Sequence, residues 1–488
     1  MSGLSDRQVD EIAQRLAARL RGGGEATATT AAEPAAASKS TAANESLGDG
    51  VFPDVDHAVA AATSAFRRLG EASLSLRESL IAAIRAAMLR EGEALARHAW
   101  EETGLGRFED KVVKNRLVTL KTPGTEVLQP RTWTGDRGLT LAEWAPFGVI
   151  GAITPTTNPT STIICNTIGM VAAGNSVVFN VHPSARSCSM RTIRLINRAV
   201  VGAGGPPDLV TAVATPTVAS AQELMQHPGV RLLVVTGGAA VVKAAMRSGK
   251  RAVCAGPGNP PVVVDRTADV AKAGGDIVRG ASFDNNVICV DEKEVFVEAA
   301  VADALVASMV RHGAHRASAS DIARLERTVF SETRGPGKPG VMEKTLIGKN
   351  AGEILARAGI SCSGDPRLVV CEVPEDHPLV WTEQMMPVLP VVRVADAEHG
   401  IELARRAEHG FGHSAAMHSR DIDALSRMAR VINTSIFVKN APIYAGLGES
   451  GEGFTSFTIA SPTGEGLTGP LTFSRQRRCS LVDHFRIV

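Results

Sequence analysis

From about residue 49 onward, short runs that are apolar throughout alternate with stretches whose apolar residues recur every three or four positions. The runs are "FGVIGAIT" (147–154), "SVVFNV" (176–181), "LVTAVAT" (209–215), "VRLLVVTG" (230–237) and "PVVVD" (261–265). Between them lie helical stretches such as "STIICNTIGMVAAG", which closes at Gly174. A strand without a polar face is covered on both sides, so the alternation predicts a mainly parallel sheet flanked by helices. A second set follows residue 289: "KEVFVE", "PVLPVVRVAD", "SAAMHS" and "TSIFVKN", with "AVADALVASMVRHG" and "DIDALSRMARVIN" as helices between them. The body therefore reads as two α/β lobes, and active sites often sit in the cleft between such lobes.

The first 48 residues follow another pattern. "LSDRQVDEIAQRLAARL" (4–20) opens with a capping box, Ser5 with Gln8. Val9, Ile12, Ala13, Leu16 and Leu20 form one apolar stripe, with Arg7, Arg15, Arg19 and Arg21 off it. Gly22, Gly23 and Gly24 stop the helix, and the Ala-, Thr- and Ser-rich stretch after them has almost nothing to bury. Residues 1–21 thus predict an amphipathic helix and 22–48 a disordered linker. Such a helix docks on a partner, lies on a membrane or folds back on the body. The stripe lacks Trp and Phe, and Asp6, Asp10 and Glu11 offset most of the arginines, which favours docking on protein. Charges throughout the helix argue against a secretory signal, and its acids against a mitochondrial presequence.

Composition narrows the function classes. At 488 residues the chain is too long for one core. With 44% hydrophobic residues, 21% charged and a net charge of +1, it reads as a soluble globular protein with no electrostatic draw toward nucleic acid. Seven cysteines (Cys165, Cys188, Cys254, Cys289, Cys362, Cys371 and Cys479) are scattered without a C-x-x-C pair, which suggests a reduced, intracellular protein. There is no histidine cluster at zinc spacing and no apolar run of bilayer length, so neither a metal nor a membrane is expected.

Four places carry candidate chemistry. In "ITPTTNPTSTIICN" (153–166) a strand runs into a loop and then a helix, and Asn158 lies just before the helix. Its amide can donate to a reacting carbonyl at the strand ends, although helix capping is the commoner use of such an Asn. In "VVTGGAAVVKAA" (234–245) a buried strand ends in Thr236, Gly237 and Gly238. Small residues there let a nucleotide phosphate approach backbone N–H groups, but the turn is not G-x-G-x-x-G, and similar turns often hold no ligand. "GPGNPP" (256–261) is a stiff connection between the lobes, or simply a rigid hinge. Cys289 in "SFDNNVICVDEK" (282–293) follows a polar turn and is either a core thiol or a nucleophile.

Taken together these segments resemble the aldehyde dehydrogenase superfamily, above all its CoA-acylating members, the propionaldehyde and acetaldehyde enzymes of bacterial microcompartments. The likeness is carried by "APFGVIGAITPTTNPT" (145–160), "AAGNSVVFNVHPSA" (172–185), "AGPGNPPVVVD" (255–265), "SFDNNVICVDEKEV" (282–295), "EQMMPVLPVV" (383–392) and "RRCSLVDHFRIV" (477–488), in family order. It implies an aldehyde dehydrogenase-like α/β fold with a Rossmann-like cofactor lobe over 49–255, carrying an oligomerisation β-arm at 123–142. A catalytic lobe follows at 256–466, then an oligomerisation strand at 467–488. Cys289 matches the family nucleophile and Asn158 the oxyanion donor, in a loop one residue longer than the commoner form. Thr154, Pro155, Thr236, Gly237 and Gly238 fall on the nicotinamide-cofactor site, His182 and Pro183 beside the adenosine ribose, and Glu383 at the nicotinamide ribose. Most hydrolytic relatives carry lysine where His182 stands and glutamate where Ala185 stands, which leaves NAD over NADP a family-based expectation.

Hydrolytic relatives also place a general-base glutamate in the loop that here reads "AGPGNPP", at Ala255. Without that base water attacks a thioester slowly, whereas a thiol such as CoA needs less help. The expected reaction is oxidation of a short aliphatic aldehyde, with NAD and CoA, through a thioester on Cys289 to acyl-CoA. The resemblance further implies a homodimer or homotetramer located in the cytoplasm within a microcompartment, with residues 4–20 as encapsulation peptide for shell or cargo protein. Rival readings are a hydrolytic aldehyde dehydrogenase giving free acid, a reductase of acyl phosphates and a non-catalytic scaffold.

Overall fold

The computed structural model describes residues 47–488, all within the compact unit Asn44–Val488. The helix expected over 4–20 and nearly all of the expected linker lie outside the described residues.

Two parallel sheets organise the body. The first orders its strands Val51–Phe52, Val210–Val213, Ser176–Asn180, Val149–Ile153, Val230–Thr236 and Ala252–Ala255. Its central strands are buried at every position, because their side chains are apolar on both faces and helices cover both. The second sheet orders Ala314–Arg316, Leu368–Glu372, Val388–Val394, Glu294–Glu298, Pro261–Val264, Ser414–His418 and Ile436–Lys439. Five residues, Gly256–Pro260, carry the chain from the last strand of the first sheet into the second. A third, antiparallel sheet joins Arg131–Gly135, Gly138–Pro146 and Ser474–Val482, and its outer strands are exposed almost throughout. No helix among the described residues is long and apolar enough to cross a membrane.

The strand order of the first sheet places a switch point at Val149–Ile153: the chain goes on from it to Ser176–Asn180 on one side and Val210–Val213 beyond, then crosses back to Val230–Thr236 on the other side. Ligands bind outside the carboxyl ends of strands at such points. Thr154, His182 and Thr236 stand at or just past the carboxyl ends of the three adjoining strands.

Candidate active site

Cys289 is half-buried and sits in a tight turn before the strand Glu294–Glu298. The Asp291 amide donates to the Ile288 carbonyl at 3.1 Å, and the Ile288 amide to the Asp291 carboxylate at 3.1 Å. The three residues at the head of this segment, Asp284, Asn285 and Asn286, have φ of 46°, 55° and 65°. Asp and Asn tolerate the left-handed region best among residues with a Cβ, and a run of three persists only where the surroundings hold it. Asn285 Nδ2 donates to the Gly348 carbonyl (2.9 Å) and to Asn350 Oδ1 (2.8 Å). Asn286 Nδ2 donates to the carbonyls of Ala281 (2.8 Å) and Glu292 (2.9 Å), and its Oδ1 accepts from Lys293 Nζ (2.6 Å).

Asp284 is held most heavily. Its Oδ1 accepts from the Arg107 amide at 2.7 Å, and its Oδ2 from Lys111 Nζ at 3.0 Å and from Lys114 Nζ. Gly106, at φ +73°, is required beside it, because a Cβ there would fall inside the Asp284 carboxylate. Both lysines lie on the buried face of the helix Phe108–Lys121. Lys114 Nζ also donates to Asn158 Oδ1 at 2.7 Å and to the Thr157 carbonyl at 3.4 Å. Burial pulls Lys114 down to about 8, opposed by Asp284 and reinforced by Lys111. Asn158 is buried and is the cap residue of the helix Pro159–Ala172, but its side chain makes no capping bond. Its oxygen faces Lys114 and its amide nitrogen lies 3.2 Å from Thr157 Oγ1.

Burial and then the Glu383 carboxylate push the Cys289 thiol up to about 12, while Lys293 pulls it down. The Glu383 carboxyl is itself raised by burial, against Lys293 and the Gly258 backbone. Gly258 is a close neighbour of both site walls. A Cβ built on it would lie 2.8 Å from the Cys289 carbonyl oxygen and 3.0 Å from the His413 ring. His413 is fully buried; its Nδ1 pairs with Ser414 Oγ at 3.0 Å, and its Nε2 has no protein partner. Burial, with Lys293 beside it, lowers His413 to about 4, so its ring is neutral at physiological pH.

The cofactor-side residues gather at the strand ends of the first sheet. Thr154 Oγ1 and Thr156 Oγ1 are buried without a protein partner, and Pro155 is half-buried between them. Thr236 Oγ1 pairs with Thr458 Oγ1 at 2.8 Å, and the Gly237 amide donates to Ala255 at 3.1 Å. Gly238 starts the helix Ala239–Met246 with no side-chain cap, and the space a Cβ would take there is open. An uncapped helix start beside orphaned hydroxyls suits a dinucleotide. His182 and Pro183 are exposed at the end of Ser176–Asn180, with His182 Nδ1 accepting from the Ser184 amide at 3.2 Å. Glu102 reaches in from another helix, its two oxygens accepting from the Ser187 and Cys188 amides at 2.7 Å each. It thereby places a carboxylate at the start of the helix Arg186–Gly202.

The aldehyde dehydrogenase family model matches residues 29–324 and 361–456. The chain belongs to this family. Among curated relatives, the acetylating acetaldehyde dehydrogenase EutE of Salmonella typhimurium is 51% identical over 90% of this chain and 94% of its own. A propionaldehyde dehydrogenase of Rhodopseudomonas palustris, solved with bound CoA and an acylated cysteine, superposes with a TM-score of 0.87 at 48% identity, covering 90% of this chain and 99% of that one. Another, from the fucose utilisation bacterial microcompartment of Clostridium phytofermentans, gives a TM-score of 0.87 at 45% identity, covering 90% and 100%.

Within this family fold, the site contains residues that sequence patterns did not single out: Lys114, Asp284, Lys293, His413 and Glu102. A signal existed for Lys293. It belongs to four consecutive charged residues, Asp291 to Glu294, set between two apolar runs, and all four are fully buried.

Proposed function

We propose that this aldehyde dehydrogenase is CoA-acylating, oxidising a short aliphatic aldehyde of the acetaldehyde or propionaldehyde class with NAD and CoA to acyl-CoA. The observation that carries this reading is the approach of the Gly256–Pro260 loop to Cys289. Where hydrolytic chemistry needs a carboxylate to activate water, the loop carries no ionisable side chain, and it is packed so closely that Gly258 has no room for a Cβ. Ala255, before the loop, is buried and has no titratable side chain.

The roles follow from the site's groups. Cys289 gives its proton to solvent and attacks the aldehyde carbon as thiolate; Asn158 Nδ2 and the Cys289 amide stabilise the oxyanion. A bound nicotinamide cofactor would supply the hydride acceptor for this oxidation; Glu383 and Thr236 would hold its ribose end, Thr154, Pro155, Gly237 and Gly238 its middle, and His182 and Pro183 the adenosine. CoA then attacks the Cys289 thioester, and Cys289 leaves as thiolate. The buried, neutral His413 is the acceptor for the CoA thiol proton. With propionaldehyde and NAD, sustained NADH formation is expected only when CoA is present, with propionyl-CoA as product. Without CoA, NADH should stop after about one equivalent per active site. Equal sustained turnover without CoA, giving propionate, would overturn the reading.

We also infer that residues 4–20 dock the enzyme to shell or cargo protein of a bacterial microcompartment. The amphipathic stripe supports this, as does the microcompartment origin of the Clostridium phytofermentans relative. The exposed third sheet, with Trp133, Leu481 and Val482 at its surface, supports a homodimer or homotetramer. Deleting residues 1–48 is expected to leave specific activity intact and abolish co-purification with shells. Retained co-purification would refute the docking role.

A further inference from the structure

Lys114 takes no part in the roles assigned above, yet it is 2% exposed and touches both halves of the proposed chemistry. An ammonium has three N–H groups and no acceptor. All three are used here: on Asn158 Oδ1, on the Thr157 carbonyl and on Asp284 Oδ2. The consequence for Asn158 is specific. A side-chain amide can rotate so that oxygen and nitrogen exchange places, and only one orientation presents Nδ2 to a substrate oxygen. Since the ammonium can only donate, the amide atom facing it must be the oxygen. The Nδ2 group is thereby turned away from Lys114. In this structure its protein partner is Thr157 Oγ1, at the longer distance of 3.2 Å.

The other end of the bridge reaches the nucleophile's segment. Asp284 opens the left-handed run that leads to Cys289, and it lies 170 positions from Lys114 in sequence. One buried cation from the helix Phe108–Lys121 thus ties the loop bearing the oxyanion donor to the turn bearing the nucleophile. We propose that Lys114 is a positioning residue, which locks the Asn158 amide with its nitrogen toward the substrate oxygen and fixes that amide relative to the Cys289 turn. This rests on the reading of Asn158 as oxyanion donor.

The test is a double-mutant cycle on the full-length enzyme, with propionaldehyde, NAD and CoA. Asn158→Ala is expected to lower kcat by about 10²- to 10³-fold, the usual loss for one oxyanion donor. Lys114→Met is expected to lower kcat by about 10²-fold while KM for propionaldehyde moves less than about threefold, because the orientation matters most in the transition state. The decisive result is the double variant. If Lys114 acts through Asn158, the double variant falls within about threefold of Asn158→Ala alone. Losses that multiply would overturn the proposal, as would a Lys114→Met enzyme with native kcat. A native kcat for Asn158→Ala would instead remove the reading of Asn158 itself. Should Lys114→Met not fold, Lys114→Gln repeats the cycle. It keeps an N–H for Asp284 but offers Asn158 an acceptor as well, so the amide is no longer forced and the same non-additive loss is expected.

Discussion

Replacing Cys289 by alanine is expected to lower CoA-dependent NADH formation by about 10⁴-fold or more, because no other group can form the thioester. The other thiols do not compete for the role. Cys165, Cys188, Cys254 and Cys371 are buried, Cys362 is half-buried and packs on the core of the second sheet, and Cys479 is exposed on the antiparallel sheet. Cys289 is half-buried and flanked by Glu383, Lys293 and the Gly258 backbone. Its reactivity carries a second, independent signature. With the thiol pushed up to about 12, the thiolate fraction in the cofactor-free enzyme grows at every step from neutral to alkaline pH. Alkylation at Cys289, followed by peptide mass spectrometry, should therefore accelerate without a plateau up to about pH 10. The causes behind the shift are burial and Glu383, so Glu383→Gln should raise the alkylation rate at a given pH. A Cys289→Ala enzyme with native turnover would remove the nucleophile assignment. A plateau near neutral pH would show that Lys293 outweighs both opposing causes.

Much of the scaffold is legible in residue order. Val149–Ile153, Ser176–Asn180, Val230–Thr236 and Pro261–Val264 lie inside the runs that lacked a polar face, and their parallel pairing follows from that uniform apolarity. Burial decides such strands locally, so local sequence reports them. The two-residue strand Val51–Phe52 is too short to show a period, and it owes its place to pairing with Val210–Val213, far along the chain. The region of Cys289 shows the limit more sharply. "VICV" is apolar enough for a strand, yet it forms a turn because the Asp291 carboxylate accepts the Ile288 amide. Lys111 and Lys114 look like a solvated helix face. Their burial depends on Asp284, which lies 170 or more positions further along the chain. His413 is equally silent in sequence; its proximity to Cys289 is established by Gly258, whose missing side chain lets the backbone pass between them.

That dependence of two lysines on one carboxylate makes Asp284→Asn the substitution with the largest expected effect on stability, a loss of about 3–5 kcal/mol. Asparagine matches the aspartate in shape and tolerates φ of 46°, so the backbone strain is unchanged, and what is lost is the charge and one of the two acceptor oxygens. What remains is two ammonium groups, 3% and 2% exposed, that share no anion within bonding distance. Neither can reach solvent without parting the helix Phe108–Lys121 from the Asp284 turn, to which the Arg107 amide and the Asp110 carboxylate also bind it. A lowered urea midpoint with an unchanged slope would report the loss directly. Because the charges are buried, the difference should persist in about 1 M salt, where screening reaches only about 3 Å and surface pairs are quenched. Lys111→Met in the Asp284→Asn background should recover part of the stability, since it removes one uncompensated charge. A loss below about 1 kcal/mol, or one abolished by salt, would mean that the lysines reach water and that the cluster braces nothing.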